Sequence, residues 1–346
     1  MHSALTANTT TPGNPSSIRI GLIGECMIEL RGQLFGKMDQ YYGGDTLNTA
    51  TYLSRLQREH TAPDTRIEVS YITAMGQDKL SQTMIEHWQA DGINTDLVLI
   101  DPKRHPGLYM IQLDESGERH FTYWRSDSAA RHLLSHADFS RVEQRLGSFD
   151  WLFLSGISYA ILPANQANYL LNRIRKQRNK GQRIAFDSNY RPAMWGNLNR
   201  LELPASANGI AMNTGLEWAR QLYEQQYRIT DLIFVTFDDE QQLWGDTHPE
   251  QTISRLHDAG IPEIVVKVGE KGCLYSHIES TSAIHSYPAK EVPQIVDTTA
   301  AGDAFNGGFL HAYLNQQPIP SCCEQANLIA SRVIQHRGAI IPPPKA

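Results

Sequence analysis

Residues 18–24 read IRIGLIG, a nearly unbroken apolar run that ends at Glu25. A strand with one wet face alternates apolar and polar residues. A strand that is apolar throughout has both faces covered, the condition of a strand inside a parallel sheet. The next periodic segment starts at Asp45, read as an N-cap, and carries Leu47, Ala50, Leu53 and Leu56 on one side of a helix. Further strands are predicted at 67–74, 150–155, 183–187, 232–236 and 263–268, with helical stretches such as 78–90, 163–180 and 249–259 between them. This alternation predicts an α/β fold with a mainly parallel central sheet and helices on both faces.

Two segments break the rhythm. Residues 25–43 carry strand-like pieces before the first helix, and residues 107–125 (GLYMIQLDESGERHFTYWR) alternate around a polar turn, Asp114 to Glu118, as a β-hairpin does. Both are too polar for central strands and are predicted to form a small β-structured lid. Residues 196–216 show no period and read as an irregular surface insertion. Residues 1–17 are rich in Thr, Asn, Ser and Pro and lack both a basic start and an apolar stretch, so they read as a disordered tail rather than a signal peptide. Residues 18–346 then form one domain.

Composition narrows the function classes. Of the 346 residues 41% are hydrophobic and 20% charged, ordinary values for a globular enzyme. A net charge of −6 without a basic stripe argues against nucleic-acid binding. No apolar run reaches the ~18 residues of a membrane span, so the cytoplasm is expected. Cys26, Cys273, Cys322 and Cys323 form no C-x-x-C pair and are expected to be reduced thiols. The 13 histidines lack metal-binding spacing.

The chemistry is concentrated in residues 292–314, VPQIVDTTAAGDAFNGGFLHAYL. The segment reads as a strand at Val292–Val296, a turn at Asp297-Thr298-Thr299, a loop of small residues Ala300-Ala301-Gly302, and a helix from Asp303. Small residues before a helix leave backbone N–H groups uncovered, and the helix start adds its positive dipole end, a site for a multiply charged anion. A carboxylate in such a place would repel a phosphate unless it had a task. Accepting the proton of an alcohol that attacks a phosphoryl group is the task that fits Asp303. Read alone, A-G-D would make Asp303 a helix cap sooner than a base.

The run DTTAAGDAF resembles the C-terminal signature of the ribokinase-like (PfkB) sugar kinases. Further stretches, GECMIEL (24–30), GGDTLNT (43–49), YWR (123–125), LSGIS (154–158), DSNYRP (187–192), DDEQQLWG (238–245) and RGAIIP (337–342), are similar to the 2-keto-3-deoxygluconate kinase branch of that family. The resemblance spans residues 18–342 and implies a ribokinase-like fold with a lid, ATP and Mg²⁺ as cofactors, and transfer of phosphate to the 6-hydroxyl of a small sugar acid. A homo-oligomer is implied as well.

Position by position, the resemblance implies Asp303 as proton acceptor and the backbone of Ala300, Ala301, Gly302 and Asp303 as anion hole. Gly44, Asp45, Thr46, Leu47 and Asn48 match the sugar contact, with Tyr109, Tyr123, Trp124 and Arg125 from the lid; Arg125 suits a substrate carboxylate. Arg191 falls beside substrate or transferring phosphate and Asn189 beside the nucleotide. Lys267, Val268, Gly269, Glu270, Lys271 and Gly272 match the nucleotide loop. Glu240 occupies the acid position of an N-x-x-E motif linked to Mg²⁺ through water, although Phe237 stands where that motif has Asn. Ala300 replaces a frequent Gly, and Ala339 an acid found in some relatives. Other substrates of the same fold (fructose, ribose, 2-keto-3-deoxygalactonate) and an inactive sugar sensor are the competing readings. A dinucleotide-dependent dehydrogenase is disfavoured because residues 21–25 are not G-x-G-x-x-G.

Overall fold

The computed structural model describes residues 16–60, 65–113, 119–196, 214–280 and 283–342. The predicted tail up to residue 15, the turn Asp114–Glu118 and most of the 196–216 insertion lie outside the described residues.

Thirteen strands are described: β1 (Ser16–Ile23), β2 (Met27–Gly32), β3 (Met38–Gly43), β4 (Thr65–Gly76), β5 (Val98–Asp101), β6 (Gly107–Leu113), β7 (Arg119–Trp124), β8 (Trp151–Ser155), β9 (Arg183–Asp187), β10 (Leu232–Thr236), β11 (Glu263–Lys267), β12 (Cys273–His277) and β13 (His285–Tyr287). Nine form the central sheet in the order β13-β12-β11-β10-β9-β8-β1-β4-β5. All neighbours from β11 to β5 are parallel, and only β12 and β13 run antiparallel. The apolar run at 18–24 is thus a central strand, as predicted.

Helices cover both faces because successive strand residues point to opposite sides. Leu152 and Leu154 of β8, Ile233 and Val235 of β10, and Ile264 and Val266 of β11 enter one core. Trp151, Phe153, Leu232, Phe234 and Val265 enter the other. The four cysteines are buried and unpaired. The lid also forms as predicted, a second sheet ordered β3-β2-β6-β7.

Three local expectations fail. Val292–Val296 is not a strand: Pro293 lacks a ladder donor, and Ile295 and Val296 lie exposed. The helix assigned to Asp303 spans Ala301–Leu314, so Ala301 and Gly302 are its first residues rather than loop. Gly44, not Asp45, is the N-cap of the helix Asp45–Glu59; Asp45 is its first residue and accepts from the Thr46 amide, 2.8 Å.

These two helices pack against each other, and Gly307 sets how closely. A Cβ at Gly307 would lie 2.8 Å from the Thr49 carbonyl and 2.9 Å from the Tyr52 Cβ. Only hydrogen fits there. The close approach sets the starts of both helices side by side, and Thr49 Oγ1 donates to the Asp303 carbonyl, 3.2 Å.

Candidate active site

A cavity of about 1050 Å³ opens at the carboxyl edge of the parallel strands, beneath the lid. Asp187, Thr236 and Lys267, the last residues of β9, β10 and β11, all line it. Open parallel sheets place ligand sites along this edge.

The turn before the helix Ala301–Leu314 is pinned by Asp297. Its Oδ1 accepts from the Thr299 amide (3.0 Å) and Thr299 Oγ1 (2.6 Å). Its Oδ2 accepts from Arg31 of the lid (2.9 Å) and the Gly338 amide (3.1 Å). Despite partial burial, these donors hold the Asp297 carboxyl well below the usual carboxylate range. Ala300 follows with a left-handed backbone, φ 60°, a conformation that costs a non-glycine residue ~1–2 kcal/mol. The turn it makes frees backbone donors. The Ala301 amide is tied to the Thr298 carbonyl, 3.2 Å. Within the described residues the amides of Ala300, Gly302 and Asp303 donate to nothing. Three of the four predicted anion-hole amides are therefore available.

Asp303 lines the cavity beside these amides. Asn48 Nδ2 donates to its Oδ2 at 2.8 Å; its Oδ1 accepts nothing among the described residues. Burial first, then the nearby Asp45 and Asp187, pushes its pKa up to about 7, against the opposing Asn48 hydrogen bond and the Lys267 charge. A carboxylate with that affinity for protons can exchange one near neutral pH.

Asp45 and Asn189 also line the cavity. Asn189 Nδ2 donates to Asp45 Oδ2, 2.8 Å. Burial raises the Asp45 pKa, while Ser155, the Thr46 amide and Asn189 oppose the shift. Asn189 has φ 34°, which asparagine tolerates better than most residues.

From the lid, Tyr109, Tyr123 and Arg125 reach the cavity, as does Phe121, which the sequence reading missed. Phe121 is two residues from Tyr123 and therefore on the same strand face. The same pleat turns Trp124 away: it is exposed and does not line the cavity. The Tyr109 hydroxyl is already donated to buried Glu29. Arg125 is already paired with buried Glu25, which also accepts from Ser128. Arg191 lines the cavity half-exposed, 3.2 Å from Asp239.

Other predicted residues fall elsewhere. Gly44 and Asn48 line the cavity, but the Leu47 side chain is in the core and Thr46 is buried against the Tyr71 hydroxyl, 3.2 Å. Helical periodicity dictates this, since consecutive residues cannot share one face. Lys267 lines the cavity; Val268 to Gly272 do not, and Gly269–Lys271 form a short 3₁₀ turn. Glu240 is fully buried and ion-paired with Arg255, 2.7 Å, away from the cavity lining. No group of three or more metal-ligating side chains occurs among the described residues. Among the described residues, then, no side-chain cluster would hold Mg²⁺ by itself. No helix among the described residues is long and apolar enough to cross a membrane.

Free amides at a helix start, a carboxylate of near-neutral pKa and a β-lid at the carboxyl edge of a parallel sheet define a phosphotransferase of the ribokinase-like fold. The pfkB family carbohydrate kinase model matches residues 18–346, and the chain belongs to that family. It is 46% identical to the 2-dehydro-3-deoxygluconokinase of Haemophilus influenzae, covering 93% of this chain and 95% of that one. The 2-dehydro-3-deoxygluconokinase of Dickeya dadantii is 42% identical, covering 93% and 96%. Among solved structures, the fructokinase of Vibrio cholerae bound to fructose, ADP and calcium superposes with a TM-score of 0.71 at 22% identity, covering 93% and 94%. The aminoimidazole riboside kinase of Salmonella enterica, complexed with aminoimidazole riboside and an ATP analog, gives 0.70 at 21%, covering 92% and 94%. These two likenesses concern the fold. The chain is an ATP-dependent carbohydrate kinase.

Proposed function

We propose that this kinase phosphorylates 2-dehydro-3-deoxygluconate (2-keto-3-deoxygluconate) at its 6-hydroxyl. The observation that carries the mechanism is the position of Asp303, one oxygen held by Asn48 and the other, among the described residues, unengaged beside three amides without an acceptor. The sugar hydroxyl donates to Asp303 Oδ1. As its oxygen bonds to the γ-phosphorus of ATP, the bond from that phosphorus to the β-phosphate oxygen breaks, ADP leaves, and the hydroxyl proton passes to Asp303. The amides of Ala300, Gly302 and Asp303 stabilise the charge on the phosphoryl oxygens during transfer.

Asp45 and Asn189 are suited to hydroxyl groups, since each offers hydrogen-bonding atoms in the cavity wall. Mg²⁺ arrives with the nucleotide phosphates, the usual habit of an ion that keeps much of its water. The sugar-acid assignment rests on the two relatives named for that substrate and on two guanidinium groups, Arg125 and Arg191, in the cavity wall.

One observation favours a neutral sugar instead: Arg125 already holds the Glu25 carboxylate. ADP release measured with 2-keto-3-deoxygluconate, 2-keto-3-deoxygalactonate, fructose and ribose separates the two. A preference for the first is expected, and a clear preference for fructose or ribose overturns the substrate assignment.

A further inference from the structure

Lys267 ends β11, and it is the one residue of 267–272 that lines the cavity. Its side chain is only 10% exposed. An ammonium so removed from water needs hydrogen-bond acceptors. Of its three N–H donors, one goes to Asp187 Oδ2 at 3.1 Å and one to Asn306 Oδ1 at 3.3 Å. Both acceptors are themselves fixed: Asn306 Nδ2 donates to Asp187 Oδ2 at 2.5 Å, and the Asn189 amide donates to Asp187 Oδ1 at 3.2 Å. The third donor meets no acceptor among the described residues. The lysine nitrogen lies 3.4 Å from the point a Cβ on Gly302 would occupy, next to one of the free amides.

An ammonium with a spare donor, close to a residue whose amide has no acceptor among the described residues, suits an anionic oxygen bound between them. A purely structural ion pair with Asp187 would need neither the third donor nor the neighbouring amide. Resting on the kinase reading above, we propose that Lys267 is a catalytic residue, donating its third N–H to the phosphoryl group in transit between ATP and the sugar hydroxyl. This separates Lys267 from residues 268–272, with which the sequence grouped it as a nucleotide loop. No proton leaves the lysine. Its charge offsets the negative charge spread over the phosphoryl oxygens, while the hydroxyl proton still goes to Asp303.

A second consequence is electrostatic. Asp45 and Asp187 make Asp303 harder to ionise and Lys267 makes it easier; Arg191 and Tyr52 also feel the charge of Asp303. Removing the lysine charge should therefore shift the protonation of Asp303 as well as slow the transfer.

The test is Lys267→Met in the full chain, with wild type assayed alongside for ADP release across pH. The variant is expected to lose on the order of 10²-fold in kcat and to keep the sugar KM within about threefold. The midpoint of the acid limb of kcat/KM should rise by roughly half a pH unit or more. A kcat within about threefold of wild type, or a loss of kcat with the acid midpoint unmoved, overturns the proposal. Absence of ADP release from wild type would instead overturn the kinase reading beneath it. If Lys267→Met does not fold because Asp187 is left unpaired, the double variant Lys267→Met/Asp187→Asn removes the pair together. The two lost charges act on Asp303 in opposite directions, so the double variant is read by kcat against Asp187→Asn alone. A loss on the order of 10²-fold supports the proposal, and a kcat within about threefold overturns it.

Discussion

Replacing Asp303 by Asn removes one negative charge and the proton-accepting oxygen while keeping size and shape. The hydrogen bond from Asn48 can persist to the side-chain carbonyl. Loss of a positioned base lowers kcat by roughly 10²–10⁴-fold, with the sugar KM little changed. In wild type the acid limb of kcat/KM should have its midpoint near 7, where burial and the two neighbouring aspartates place this carboxyl; in Asp303→Asn that limb should vanish.

Stability gives an independent sign. The folded-state pKa is raised above the ordinary value of 3.8, so ionised Asp303 penalises the folded state. The penalty is absent below the unfolded pKa, grows as pH rises toward 7 and is constant above it. Asp303→Asn should therefore be more stable than wild type at pH 8, by on the order of 1–3 kcal/mol, with the difference fading toward about pH 4. Coupled-assay kinetics and urea unfolding at several pH values measure both effects. Near-normal kcat, or a variant less stable than wild type at pH 8, refutes the reasoning.

Gly302→Ala should fold normally, because the added methyl would lie 3.4 Å from the Lys267 nitrogen, an ordinary contact, yet occupy space a phosphoryl oxygen needs. Its kcat/KM should fall on the order of 10²-fold with an unchanged melting temperature, and full activity would show that no phosphoryl group approaches there. Arg125→Ala strands Glu25, whose side chain is 1% exposed, so unfolding free energy should drop by about 3–5 kcal/mol while the KM for a sugar acid rises. Partial recovery of stability in Glu25→Gln/Arg125→Ala, read by urea unfolding, checks that the pair is the cause.

The central strands were legible because burial on both faces demands continuous apolar runs, and β1, β8, β10 and β11 supply them. The lid was legible because its strands alternate. Val292–Val296 carries three apolar β-branched residues, as a strand would, yet Ile295 and Val296 are exposed and the segment pairs with no sheet among the described residues. The helix start was misplaced by two residues because small residues suit a loop and a first helical turn equally. What separates them is the left-handed backbone of Ala300, which composition does not reveal.

The place of Asp303 in the cavity was legible because one contiguous motif sets it at a helix start. Pairings across long separations were not. Arg125 looked like a free carboxylate receptor until Glu25, 100 residues away, was found beside it. Glu240, expected to be linked to Mg²⁺ through water, is ion-paired with Arg255, 15 residues on, a pairing the motif does not reveal. Thr46, Leu47 and Trp124 were included because a motif is contiguous, whereas a helix or strand shows only some of its residues to a cavity.

The most direct test of the account is a crystal structure with ADP, a metal fluoride in place of the transferring phosphoryl group, and the sugar. The fluoride should lie within hydrogen-bond distance of the Gly302 and Asp303 amides, with the sugar 6-hydroxyl on Asp303 Oδ1. A fluoride bound away from those amides, or a sugar hydroxyl out of reach of Asp303, would contradict it.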